Sequence, residues 1–102
     1  MLDLDHLSEQ TLGNRALERE VLGLFVLHAD RQIDLIRSAR DIAARREAAH
    51  ALLGAARAIG ASDISNLAGT IERREDEADA EIEALAQAVA ATSTFIAERL
   101  AG

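Results

Sequence analysis

Apolar residues recur at three- and four-residue steps through most of the chain, a pattern that predicts amphipathic α-helices. A short first helix, ending near Gly13, is predicted from Leu4, Leu7 and Leu12. A long second helix is predicted over residues 15–39, with Asn14 as its N-cap. The apolar stripe of this second helix consists of Leu17, Val21, Leu24, Phe25, His28, Gln32 and Ile36.

Three further helices are predicted after a weakly marked break at residues 40–43, where Asp41 is the candidate cap. The third helix ends at Gly60, a favourable position for a C-terminal glycine. Ser62 or Asp63 can cap the fourth helix. The apolar stripe of the fourth helix consists of Ile64, Leu67, Ala68 and Ile71.

Residues 72–81 are too charged to be core, and they predict a turn into the last helix, whose macrodipole favours their acids at its N-terminus. The stripe of that helix is Ile82, Leu85, Val89, Thr92, Ile96 and Leu100. Four substantial helices with short links predict an all-α fold, an antiparallel four-helix bundle with a short additional N-terminal helix. A coiled coil is the competing fold, but the stripes break about every 20 residues, which favours helices that fold back on one another.

The composition agrees with a helical domain and excludes several classes of protein. The chain has 102 residues, 22 alanines and no proline, enough for one small domain, so we predict a single domain over residues 1–102. The absence of cysteine excludes a disulfide framework and a thiolate metal site. No apolar run approaches a membrane span, and the acidic start of the chain does not resemble a signal peptide. We therefore expect a cytoplasmic protein with no membrane contact.

The net charge of −7 is unevenly distributed. Residues 1–57 hold nine acids and eight arginines, whereas residues 58–102 hold nine acids and three arginines. Because nucleic-acid binding depends on basic surfaces, this balance argues against nucleic acid as a partner.

The stretch that begins at His50 carries the candidate chemistry. In a helix of about 100° per residue, Leu52, Ala56 and Ile59 lie on one side and can enter the core, while His50 lies well away from them. On the side of His50 are Arg46, Gly54, Arg57 and Ala61.

These neighbours suit a phosphoryl-carrying histidine. Glycine inside a helix costs about 1 kcal/mol relative to alanine, and Gly54 opens room beside the ring for the active site of another protein. Neutral imidazole is a nucleophile near physiological pH, and Arg46 and Arg57 could hold a phosphoryl group attached to it. Taken singly, each residue is as readily a surface histidine, a packing glycine or a solvated arginine, so only their conjunction indicates function.

The motif resembles that of the histidine-phosphotransfer family, which has the form His-x-Leu-Lys-Gly-x-Ala-x-x-x-Gly-Ala. The matching residues of this chain are His50, Leu52, Gly54, Ala56, Gly60 and Ala61. Upstream, residues 20–25 resemble the Leu-rich stretch of the family that ends in Phe, and downstream Leu67 and Ile71–Glu72 resemble its Leu…Leu-Glu segment. The resemblance covers residues 4–100 in order.

The resemblance implies a phosphorelay intermediate. His50 would accept a phosphoryl group from a response-regulator receiver domain, or from a sensor or hybrid histidine kinase, and pass it to another receiver. Glu72, 22 residues beyond His50, would orient the imidazole through its other nitrogen. The partner receiver would hold Mg²⁺, while this chain would bind no cofactor or metal. Such a chain would be monomeric, and it would act as a carrier rather than a self-sufficient enzyme.

One departure leaves alternatives open. In the family motif a lysine lies three residues after the histidine, whereas this chain has Leu53 at that position. Either Arg46 or Arg57 compensates for its charge, or the domain transfers slowly, or it is a degenerate adaptor that docks receiver or kinase domains. A plain helical assembly protein is a further alternative.

A metal site of His50, Glu47 and Glu72 is disfavoured by the nearby arginines. His28, on the apolar stripe of the second helix, is interpreted as a packed or boundary residue.

Overall fold

A computed structural model describes residues 2–101 and shows five helices. They are α1 (Leu4–Gln10), α2 (Arg15–Ser38), α3 (Ile42–Ile59), α4 (Ser62–Arg73) and α5 (Asp79–Ala101). Helices α2 to α5 pack in cyclic order, each against the next along the chain and α5 against α2, while α1 packs against α3. The predicted all-α bundle with a short N-terminal helix is therefore confirmed. No helix within residues 2–101 is both long and apolar enough to cross a membrane.

The predicted caps explain where α2 and α3 begin and end. The side chain of Asn14 accepts a hydrogen bond from the Leu17 amide, and that of Asp41 accepts one from the Ala44 amide. Gly60 ends α3 in the left-handed conformation, with a φ of 76°. A Cβ atom there would lie 2.9 Å from the Cβ of Asp3, so glycine is required both by the backbone and by the approach of the N-terminal segment.

Two predicted boundaries around α4 are wrong. Neither Ser62 nor Asp63 is its N-cap, because the helix begins directly after Ala61 without a side-chain cap. The predicted turn at residues 72–81 is shorter, because α4 continues to Arg73 and α5 starts at Asp79. The link is thus residues 74–78, and it ends on the buried Ala78.

The core is aliphatic, as the composition requires, but two predicted stripes are partly wrong. In α1 only Leu7 is buried, whereas Leu4 and Leu12 are exposed. In α2 the buried residues are Glu18, Leu22, Phe25, Ala29, Gln32, Ile33 and Ile36. Leu17 and Leu24 are exposed because the core-facing line of α2 passes through Leu22 and Ala29 instead. The predicted stripe of α5 is confirmed, with Leu85, Val89, Thr92 and Ile96 buried.

Two ion pairs join α2 and α5 at opposite ends. Near one end, the Arg99 guanidinium donates to both carboxylate oxygens of Glu18, at 2.9 and 3.2 Å, and this raises the pKa of Arg99. Near the other end, Arg37 donates to Glu83 at 3.2 Å. The side chain of Glu18 is only 9% exposed, against 62% for Glu83. The Glu18–Arg99 pair is therefore the desolvated one, and loss of its cation leaves a buried charge unpaired.

We predict that Arg99→Ala destabilises the fold by about 2 kcal/mol, since the Glu18 carboxylate would then be buried without a partner. Arg37→Ala is the matched control, and it should cost less than about 1 kcal/mol because both members of that pair are solvated. Urea unfolding followed by circular dichroism measures both free energies of unfolding. Equal losses in the two variants would contradict the assignment of Glu18 as a buried ion-pair partner.

Candidate functional site

His50 projects from the outer face of α3, where its side chain is 71% exposed. On the opposite face of the same helix, Leu52, Ala56 and Ile59 are buried, as predicted. Across the seam between α3 and α4, the Nδ1 atom of His50 lies 3.0 Å from the Oε2 atom of Glu72. Glu72 lies in the last turn of α4, so two antiparallel helices together position the imidazole.

The contact with Glu72 defines which ring nitrogen can react. A carboxylate only accepts hydrogen bonds, so Nδ1 must carry the hydrogen and donate it. In the neutral ring the lone pair is then on Nε2. Within residues 2–101, Nε2 of His50 has no hydrogen-bond partner. The site therefore presents an exposed imidazole nucleophile whose second nitrogen is held by an anion.

Arginines of α3 hold the end of α4 that carries Glu72. Arg46 Nε donates to the backbone carbonyl of Glu72 at 3.0 Å, and its Nη2 lies 3.5 Å from Glu75 Oε1. Arg45 donates to the carbonyls of Arg74 and Asp76 at 2.8 and 2.9 Å. These bonds satisfy carbonyls at the end of the helix and just beyond it, which the helix itself leaves without donors. Arg46, predicted as a source of charge for a phosphoryl group, is thus already engaged with α4.

The link between α4 and α5 is organised by Arg74. Its guanidinium donates to Asp76 at 2.7 Å, to Glu81 at 2.6 Å and to the carbonyl of Glu77 at 2.8 Å. The hydrogen bond from Arg74 lowers the pKa of Asp76. The pKa of Glu81 is also lowered, first by the backbone N–H of Glu81 itself and then by Arg74. Sequence reasoning missed Arg45 and Arg74, and the only signal was the mixture of acids and arginines in residues 72–81.

Arg57, the other predicted cation, lies farther along α3. It is seven residues beyond His50, which is about 10 Å along the helix axis. It is exposed, and its guanidinium makes no hydrogen bond or ion pair within residues 2–101. Ala61, predicted on the same face, does not belong to it, because α3 has ended and Ala61 is fully buried.

Gly54 leaves open space one turn beyond His50. A Cβ atom at this position would meet nothing within 4 Å. Neither packing nor an unusual backbone angle within residues 2–101 therefore requires a glycine here. Its cost in helix stability is therefore not offset by any contact that the glycine makes among residues 2–101.

Leu53, which replaces the lysine of the family motif, is turned toward α4 and is 8% exposed. Its Cδ1 atom lies 3.1 Å from the point where Gly69 of α4 would carry a Cβ atom. The position next to His50 on this side is therefore apolar and packed, and it offers no positive charge.

The other side of the α3 face borders α2. His28 is half-buried there, with Nε2 3.4 Å from the carbonyl oxygen of Ala51, which agrees with its predicted boundary position. An open apolar groove runs along this border, lined by Val21, Leu24, Phe25, His28, Ala55, Ala58 and Ile59. Leu24, at its rim, is 60% exposed.

Residues 2–101 contain no group of three or more His, Asp or Glu side chains arranged to hold a metal ion, so Glu47 does not complete a site with His50 and Glu72.

Comparison with known proteins gives one family match. A family model described as "Hpt domain" matches residues 20–98, which include His50, Gly54 and Glu72. No curated protein and no solved structure matches the chain.

Proposed function

The chain belongs to the Hpt domain family, whose members act in two-component signalling, and from this membership we propose that His50 carries a phosphoryl group in a phosphorelay. The observation that carries the proposal is the geometry of the ring. Nδ1 is bound to Glu72 at 3.0 Å, and the rest of the imidazole is exposed on a rigid helix.

In the proposed step, the Nε2 lone pair of His50 attacks the phosphorus of an aspartyl phosphate on a receiver domain. The N–P bond forms as the bond from phosphorus to the aspartyl oxygen breaks, and the carboxylate leaves with the electron pair. The ring becomes cationic, and the Glu72 carboxylate stabilises it through the hydrogen on Nδ1. Transfer onward is the reverse step with another receiver. The main requirement is alignment rather than additional catalytic groups on this chain.

The proposed roles of the remaining residues follow from their positions. Arg46 keeps Glu72 in place by binding its carbonyl, and Gly54 leaves space for the receiver to approach. Mg²⁺ would come with the receiver domain. We propose that the apolar groove between α2 and α3 is part of the receiver contact, because it borders the open face beside Gly54. The contact would be modest in area, as suits a transient complex formed by a monomeric cytoplasmic chain.

A degenerate adaptor is the second candidate, and it is favoured by Leu53. An adaptor would use the same docking face without forming the N–P bond. It would therefore bind receivers and still fail to take up phosphate.

We predict that incubation with phosphoramidate, from which ammonia leaves as the N–P bond forms, labels the protein with one acid-labile phosphate. The ³¹P NMR signal should be that of an Nε2-phosphorylated imidazole, since Nδ1 is bound to Glu72. His50→Gln should abolish the label, and His28→Gln is the control that should retain it. An unlabelled wild-type protein that still binds receivers would support the adaptor instead.

Gly54→Ala should separate stability from function. The added methyl group has space, so we expect the free energy of unfolding to rise by up to about 1 kcal/mol. Transfer from a phosphorylated receiver should slow, because the methyl group occupies the approach to His50, while labelling by the small donor phosphoramidate should change little. Gly23→Ala is the matched control, since a Cβ atom there would also meet nothing within 4 Å and Gly23 does not line the groove between α2 and α3. Equal transfer rates in both variants would contradict the role of Gly54.

Leu24→Glu tests the docking groove. A charge at its exposed rim should weaken receiver binding by about tenfold, because the apolar contact would then have to desolvate a carboxylate. Phosphoramidate labelling should be unchanged. Leu12→Glu, in the turn between α1 and α2, is the control for an added charge on an exposed leucine. Calorimetric titration with a receiver domain measures both, and unaltered binding by Leu24→Glu would exclude the groove.

A further inference from the structure

One turn of α4 next to the candidate site contains a buried glycine, Gly69. A Cβ atom on Gly69 would lie 3.1 Å from Leu53 Cδ1 and 3.2 Å from Arg73 Nη1. The Leu53 side chain and the Arg73 guanidinium therefore both lie close to the position that a side chain of residue 69 would occupy. A larger residue at position 69 would push one of the two away.

The antiparallel register of α3 and α4 relates this cluster to His50. His50 contacts Glu72, and Leu53, three residues later in α3, is opposite Gly69, three residues earlier in α4. Side chains on a helix lean toward its N-terminus, which explains why the Arg73 guanidinium lies over Gly69 rather than beyond the helix end. The guanidinium is thus displaced along the seam by about one helical turn, roughly 5 Å along the helix axis, from the contact between His50 and Glu72.

The side chain of Arg73 is also available to bind a ligand. Its guanidinium makes no hydrogen bond or ion pair within residues 2–101, although it neighbours Glu72 in sequence. The other arginines of this seam are engaged: Arg45 and Arg46 bind carbonyls at and beyond the end of α4, and Arg74 binds the link. Arg57 is equally free, but it lies two turns along α3.

A phosphoryl group on His50 would need a cation here. It would bring a charge of about −2 beside the Glu72 carboxylate. Glu47, one turn back on α3, is exposed and places a further negative charge near His50. Leu53 provides no positive charge to balance these groups. A guanidinium can bind two phosphoryl oxygens at once, which makes an unpaired arginine well suited to this role.

We propose that Arg73 binds the phosphoryl group on His50 and supplies from α4 the positive charge that Leu53 does not provide from α3. This inference rests on the proposed function. Gly69 contributes by leaving space on the surface of α4, where the guanidinium lies about one helical turn along the seam from the contact between His50 and Glu72.

The test compares Arg73→Gln with Arg57→Gln, two exposed and unpaired arginines, in the rate of His50 labelling by phosphoramidate without any partner. We expect Arg73→Gln to slow labelling about tenfold, as the loss of one charge-assisted interaction does, and Arg57→Gln to stay within twofold. An Arg73→Gln rate within twofold of wild type, or a larger loss in Arg57→Gln, would overturn the proposal for Arg73 alone. A wild-type protein without label on His50 would overturn the proposed function as well.

A second readout responds to charge and not to packing. The pKa of the phosphoryl group, followed by ³¹P NMR during a pH titration of the labelled protein, should be higher in Arg73→Gln than in wild type, because the nearby cation favours the dianion. An unchanged pKa would contradict direct binding. Adding Leu53→Lys to Arg73→Gln should restore most of the labelling rate, and a folded double variant without rescue would count against the proposal.

Discussion

The register between α3 and α4 is the constraint on which the candidate site depends. It sets His50 opposite Glu72 and Leu53 opposite Gly69, one turn apart along the same seam. A slip of one residue would rotate each side chain by about 100° and separate both pairs. The register is maintained by Arg45 and Arg46, which donate from the first half of α3 to carbonyls at and beyond the end of α4. The same bonds that terminate α4 therefore hold the carboxylate that orients the imidazole.

The two borders of the exposed α3 face differ in chemistry, and this suggests a division of roles. Toward α4 the border is polar, with Glu72 and a free guanidinium at Arg73. Toward α2 it is apolar, with the exposed Leu24 above a groove lined partly by alanines. His50 and Gly54 lie between the two borders. In the proposed phosphorelay step, a partner would gain contact area against α2, while charge compensation for the transferred group would come from the α4 side.

The sequence predicted those features that local chemistry decides. Asn14, Asp41 and Gly60 mark helix ends because capping and left-handed conformation depend on single residue types. The position of His50 followed from its angle to Leu52 and Ala56. The end of α4 and the link after it could not be predicted, because Arg45 and Arg46 reach them from 26 to 31 residues away. The exposure of Leu17 and Leu24 was missed for a related reason: more than one apolar line runs along α2, and only packing decides which of them is buried.

Leu53 connects stability and chemistry in this fold. An apolar side chain at this position packs between α3 and α4, where burial of a leucine is worth about 2 kcal/mol, whereas a lysine would have to extend its ammonium group to solvent. The substitution strengthens the seam that defines the site and removes a positive charge from it. Gly69 has no side chain and therefore leaves room for both Leu53 and the guanidinium of Arg73, the cation proposed to replace the lysine. Loss of the motif lysine is thus compatible with an active carrier, provided that the charge is supplied by the neighbouring helix.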